Sequence, residues 1–218
     1  MEIKKLRSGL KGEIEKKSTL IFPYDFNKTF KKDTLSINLN DKKIGEIVIR
    51  QLTGSHQRFG AISSFVIEAK AMSCILYEKM FEMNFSFIDF SLLETEGFYS
   101  IYSGKLKNQA FFKDYGVITF YPHDNIEEKV LEMIDQINSN ISIKLLHLFS
   151  GNLETINDIA SNHESYSYPT LFSALICKIN NRMDLLETVI KNCKTKKMKD
   201  SSKDNVNEIL ENIYLIGQ

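Results

Sequence analysis

The chain has 218 residues, 43% hydrophobic and 26% charged, which fits one large globular domain or a core domain with an appendage. Its 28 lysines and arginines balance 28 aspartates and glutamates, and arginine occurs only at Arg7, Arg50, Arg58 and Arg182. With no net field to neutralise phosphates and few bidentate phosphate readers, nucleic acid is not an expected partner; no apolar run reaches the length of a membrane-spanning helix, so neither is a membrane.

The N-terminal stretch MEIKKLRSGLKGEIEKK has the charge of a secretory leader but no apolar run behind it. Cys74, Cys177 and Cys193 are odd in number and never form a CxxC pair. Both features point to a reducing cytoplasm.

Residues 2–17 place Ile3, Leu6, Leu10 and Ile14 at helical spacing, with Gly9 and Gly12 weakening the helix. The segment LIFPYDFNKTF (20–30) reads as an irregular connection, and TLSINLN followed by IGEIVIRQL reads as a β-hairpin. Over 62–83, Phe65, Ala69, Met72, Leu76 and Met80 predict a long amphipathic helix, although AISSFVIEA could open as a strand. FSFIDFSLL (85–93) and FYSIYSGKL (98–106) read as two strands, with Gly97 closing the turn between them. YGVITFY makes a further strand, and a helix follows Pro122 with Asp124 as its cap and Ile126, Val130, Met133 and Ile137 as its stripe. From 141 onward the pattern is one of short helices, interrupted by the lysine-rich stretch KTKKMKDSSKDN, which reads as a solvated tether.

The predicted class is α+β: a mostly antiparallel sheet with an N-terminal helix, a long middle helix and a helical C-terminal region. Residues 1–140 form the expected core domain. Residues 141–218 form the helical region, packed on the core or standing as a subdomain. Within it GNLETINDIA and NRMDLLETVI lie thirty residues apart, each after another short helix. With PTLFSA before the second, this resembles an ankyrin-type helix pair, though the TPLH opening of that family is missing.

The candidate sites are few. Gly54 and Gly60 flank Ser55, His56, Gln57, Arg58 and Phe59, but five residues separate the glycines and Ala61 stands where a P-loop needs lysine. The loop reads as a turn; if it entered a helix N-terminus, its amides with His56 and Arg58 could attract an anion. His56, His123, His147 and His163 show no HxH or HExxH spacing, and no metal or other cofactor is expected. Cys74 and Cys177 fall inside predicted helices and read as packing groups. Phe111, Phe112 and Tyr115 stand in a polar loop, NQAFFKDYG, where large aromatics either fold onto the core or anchor a partner. Strands 85–93 and 98–106 carry aromatics on both faces, so their sheet would need covering twice.

The order helix, hairpin, helix, strands, helix resembles the class I type III secretion chaperones and many bacterial toxin-immunity proteins. That resemblance is one of element order, carried by no motif, and those chaperones are shorter and acidic. It implies a non-catalytic, bacterial, cytoplasmic protein that binds another protein and can form a homodimer. Two other readings remain open: a small nucleotide- or phosphate-binding enzyme using the Gly54–Gly60 loop, and a helical-repeat-like adaptor working through 141–193.

Overall fold

The computed structural model describes residues 2–54, 58–83, 85–103, 116–195 and 205–213. The chain divides into two compact units, 1–70 with 101–143 and 71–100 with 144–218. Residues 71–100, grouped by sequence pattern with the first 140, thus pack with the helices beyond 143.

In the first unit, α1 (Glu2–Lys17) buries Leu10 and Ile14 and leaves Ile3 exposed, so only the later part of its apolar stripe meets the core. It packs on α4 (Ile126–Ile137), where Lys17 Nζ reaches Glu127 Oε1 at 2.9 Å. That bond holds the Lys17 ammonium above the ordinary lysine range. Val130, Met133, Ile134 and Ile137 form the buried stripe of α4. The cap of α4 is Asn125, whose side chain accepts from the Glu128 N–H; Asp124 accepts instead from the Tyr121 N–H and from Lys129 Nζ. The expected cap therefore moves by one residue. The segment 20–30 is irregular only to Phe26, because β1 (Asn27–Lys31) starts inside it. Phe22 holds a φ of +55°, an outlier for a bulky residue, and Asn138 braces it by accepting its N–H and donating to the Leu20 carbonyl.

The remaining strands are β2 (Thr34–Leu39), β3 (Lys42–Gln51), β4 (Ser63–Ala71), β5 (Tyr99–Tyr102) and β6 (Ile118–Phe120). They form a six-stranded antiparallel sheet in the order β1-β2-β3-β4-β5, with β6 also paired to β4 through Ser63–Phe65. The α+β class is therefore the one found. The β2–β3 hairpin turns at Asn40 and Asp41, both at positive φ, the pairing that matches strand twist. Ser103 Oγ donates to the Gly116 carbonyl, so the chain leaves the edge of β4 after β5 and returns beside the same point to enter β6.

Two expectations are corrected. The long helix over 62–83 is instead β4 followed by α2 (Ile75–Met83). Phe65, Ile67, Ala69 and Ala71 point inward while Val66, Glu68 and Lys70 stay half-exposed, a period of two. The spacing from Phe65 to Ala69 satisfies both periods, which is why helical and strand patterns overlapped there. The strand over 85–93 is also absent. Asp89 accepts from the Leu92 N–H at 3.1 Å and caps α3 (Phe90–Glu96). Gly97 has the positive φ expected of it, but it ends α3 and lies against Ala71 O, where a Cβ would come within 2.5 Å.

The sheet is not apolar on both faces. Leu35, Ile37, Ile47, Ile49, Phe65 and Ile67 are buried on one face, whereas Ser36, Glu46, Arg50 and Glu68 lie on the other. Arg50 and Glu68 pair across that second face at 2.6 Å. A polar outer face needs no second layer.

In the second unit α7 (Pro169–Ile179) is central, with every residue from Pro169 to Cys177 buried. It contacts α2, α6 (Glu154–Asn162), α8 (Leu186–Thr195) and α9 (Val206–Ile213). The connection from α5 (Ile143–Phe149) to α6 is repeated between α7 and α8. Ser150, Gly151 and Asn152 donate to the carbonyls of Leu146, Leu148 and His147; Asn180, Asn181 and Arg182 donate to those of Ile176, Lys178 and Cys177. Gly151 and Asn181 hold positive φ at the matching position, +64° and +53°. Asn180 Nδ2 bonds the Gly151 carbonyl at 2.7 Å and ties the two loops together.

Candidate functional site

Several residues singled out by sequence are not among those described: His56 of the glycine loop, the aromatic trio Phe111, Phe112 and Tyr115, and the lysines beyond 195. Of the loop, Gly54 and Gly60 take positive φ, the Arg58 N–H donates to Ser64 Oγ at 3.3 Å, and Phe59 is fully exposed. The loop runs into β4, so no helix N-terminus follows it to draw an anion.

Cys74 and Cys177 are both buried. Burial pushes the Cys74 thiol up to about 12 and the Cys177 thiol up to about 11. Cys74 precedes α2 rather than lying within a helix, while Cys177 packs with Val189, Ile156 and Leu185 between helices. Among the described residues no three His, Cys, Asp or Glu side chains come together in a way that could hold a metal. His123 stacks on Tyr121, His147 is half-buried in α5, and His163 opens a short 3-10 turn.

Two arrangements in the second unit escaped the sequence patterns. The first is an aromatic surface on α2 and α3. Leu76, Tyr77 and Met80 turn inward, which leaves Phe81 60% exposed on the flank of α2. The Phe90 ring meets Phe81 at 5.0 Å and Tyr77 at 6.3 Å, both edge-on, and is itself half-exposed. Ile75 and Leu92 are also exposed, and Glu78 and Glu94 supply negative charge on the same two helices, whereas Glu82 pairs with Lys79 at 2.8 Å. Burial, with Glu94 nearby, pushes the Tyr77 hydroxyl above its ordinary range. Reading 85–93 as a strand hid this surface, because it put Phe90 in a sheet instead of on a helix facing α2.

The second is a polar knot at Asp158. Its carboxylate accepts from Lys144 Nζ at 2.5 Å, Asn162 Nδ2 at 2.9 Å and Tyr166 Oη at 2.7 Å. The Tyr166 ring lies 4.8 Å from that of Tyr99, whose backbone forms a bridge with Tyr166. Burial, with Asp158 adding to it, raises both tyrosine hydroxyls well above their ordinary range. The Tyr99 hydroxyl is buried and meets no hydrogen-bond partner among the described residues. Lys144 and Asp158 sit on consecutive short helices, and no local spacing announces their pairing. The knot braces the unit; its one carboxylate is fully engaged.

No protein-family model, curated protein or solved structure matches the chain.

Proposed function

We propose that this is a non-catalytic protein that binds another protein, of the secretion-chaperone or toxin-immunity kind, working in a bacterial cytoplasm. The observation that supports this reading is the exposed aromatic surface of α2 and α3, centred on Phe81 with Phe90 behind it. A phenylalanine on a helix flank exposes apolar surface that water disfavours, and buried aromatic anchors dominate binding energy at interfaces. Glu78 and Glu94 near it would favour a partner with apolar and basic side chains, while Glu82 is already paired with Lys79.

The test is a mild cross-link and pull-down of the tagged chain from its native cytoplasm, run beside Phe81→Asp. One stoichiometric protein held by the parent chain and lost from Phe81→Asp, with thermal unfolding unchanged, is the expected result. A partner held equally by both chains would move the contact elsewhere.

A second reading, the helical-repeat-like adaptor, is favoured by the matched loops of α5–α6 and α7–α8. It places the contact on the exposed faces of α6 and α8. A partner indifferent to Phe81→Asp but lost on Glu187→Lys would select it.

A further inference from the structure

The first unit holds a groove of about 460 Å³ between α1 and one end of the sheet, a volume within the range of small-molecule sites. Its floor is apolar: Ile14 from α1, Ile49 from β3 and Phe65 from β4 are nearly buried, and Phe30 from β1 is half-exposed. Its rim is charged on both walls. Lys11 and Glu15 stand on α1, and Lys32 and Asp33 stand on the turn that joins β1 to β2. All four side chains are exposed.

These charges are uncommitted. Among the described residues neither lysine, nor the Glu15 carboxylate, has an ion-pair partner, and the Asp33 carboxylate accepts from the neighbouring Thr34 hydroxyl alone. Lys11 and Glu15 are four residues apart with the lysine first, the order that pairs poorly along a helix. Each wall therefore offers one cation and one anion above an apolar floor.

Lys32 adds an independent observation. Its φ is +62°, a left-handed backbone that favours glycine and strains an L side chain. The β2–β3 turn uses Asn40 and Asp41 at positive φ, residue types enriched there; lysine is uncommon in that conformation. A strained residue with a free charge at a groove rim is the pattern of a position kept for its side chain.

We propose that this groove binds a small zwitterion with an apolar body, the chemistry shared by free apolar amino acids and short peptides with free ends. Lys32 and Lys11 receive the carboxylate, Glu15 and Asp33 receive the ammonium, and the apolar body covers Phe30, Ile49 and Phe65. This site is separate from the aromatic surface of α2 and α3, and it stands or falls without it.

The experiment is a titration of the 15N-labelled full chain, followed by amide shifts, with three probes. Leucyl-phenylalanine is expected to shift amides at Lys11–Glu15, Phe30–Asp33 and Ile49–Gln51. Its N-acetylated, C-amidated form is expected to bind more weakly by on the order of tenfold, and glycylglycine is expected to produce no shifts. Lys32→Gly is expected to raise Tm by a few degrees while weakening leucyl-phenylalanine by about tenfold. No shifts at millimolar leucyl-phenylalanine, equal binding of the capped form, or a stabilised Lys32→Gly chain that binds unchanged would each overturn the proposal.

Discussion

The two helix–loop–helix pairs of the second unit, α5–α6 and α7–α8, follow the same backbone path with different residues. Their loops share three backbone hydrogen bonds at an offset of thirty residues, and each turns through a left-handed residue, Gly151 in one and Asn181 in the other. Leu145 and Leu175 are fully buried at matching positions, and Ile159 and Val189 are nearly so. Elsewhere the pairs diverge. The first carries Asp158 with its three donors, where the second has Thr188; the second loop closes with an Arg182–Asp184 pair at 2.8 Å. A repeated path thus needs a left-handed residue and a buried stripe, and the polar side chains are free to specialise.

The largest effects test the shared stripe. Leu145→Ala and Leu175→Ala should each cost about 3 kcal/mol in urea unfolding, because each vacates a fully buried site. A cost below about 1 kcal/mol at one of them would break the equivalence. Asp158→Ala should cost about 2 kcal/mol by leaving Lys144 and Tyr166 unpaired, and Tyr166→Phe about 1 kcal/mol. An unchanged midpoint for Asp158→Ala would mean that the knot does not distinguish the first pair.

Smaller effects sharpen the loops. Gly151→Ala should destabilise by about 1 kcal/mol, since its φ strains a side chain although the added Cβ would make only ordinary contacts at 3.7 Å. Asn181→Gly should do the opposite, stabilising by a few tenths of a kcal/mol. Equal signs for the two changes would show that the turns are not held by the same conformation. The smallest effect is chemical. With its thiol pushed up to about 11, Cys177 should stay unalkylated by iodoacetamide at mildly alkaline pH until the chain is unfolded, and Cys74, near 12, should behave likewise. Peptide mass mapping reads each thiol separately.

Legibility varied with the kind of pattern. The helix at 2–17, the β2–β3 hairpin, the stripe of α4 and the helical run after 141 were readable because each rests on periodic burial within one element. The thirty-residue echo was readable too, and its loops reproduce it bond for bond. Segment 62–83 misled because Phe65 and Ala69 fit both periods, and 85–93 misled because apolar alternation outweighed a single capping aspartate. Of the sites, the glycine loop lacks the P-loop lysine, since Ala61 follows Gly60, and it runs into β4. The α2–α3 surface was missed with the helix that forms it. The groove was missed because Lys11, Lys32 and Phe65 come from three separate elements.

By itself, the sequence determined the α+β class, the positive φ of Gly97, and the succession of short helices after 141 among the described residues, because propensity and periodicity act within a few residues. Tertiary structure decided the rest. It settled whether 63–71 would be strand or helix by offering it neighbouring strands to pair with. It drew Asp158 to Lys144 and Tyr166, and it left Phe81 uncovered while burying Tyr77 one turn away. Such outcomes depend on which surfaces meet, and that is a property of the packed chain, not of any short stretch of it.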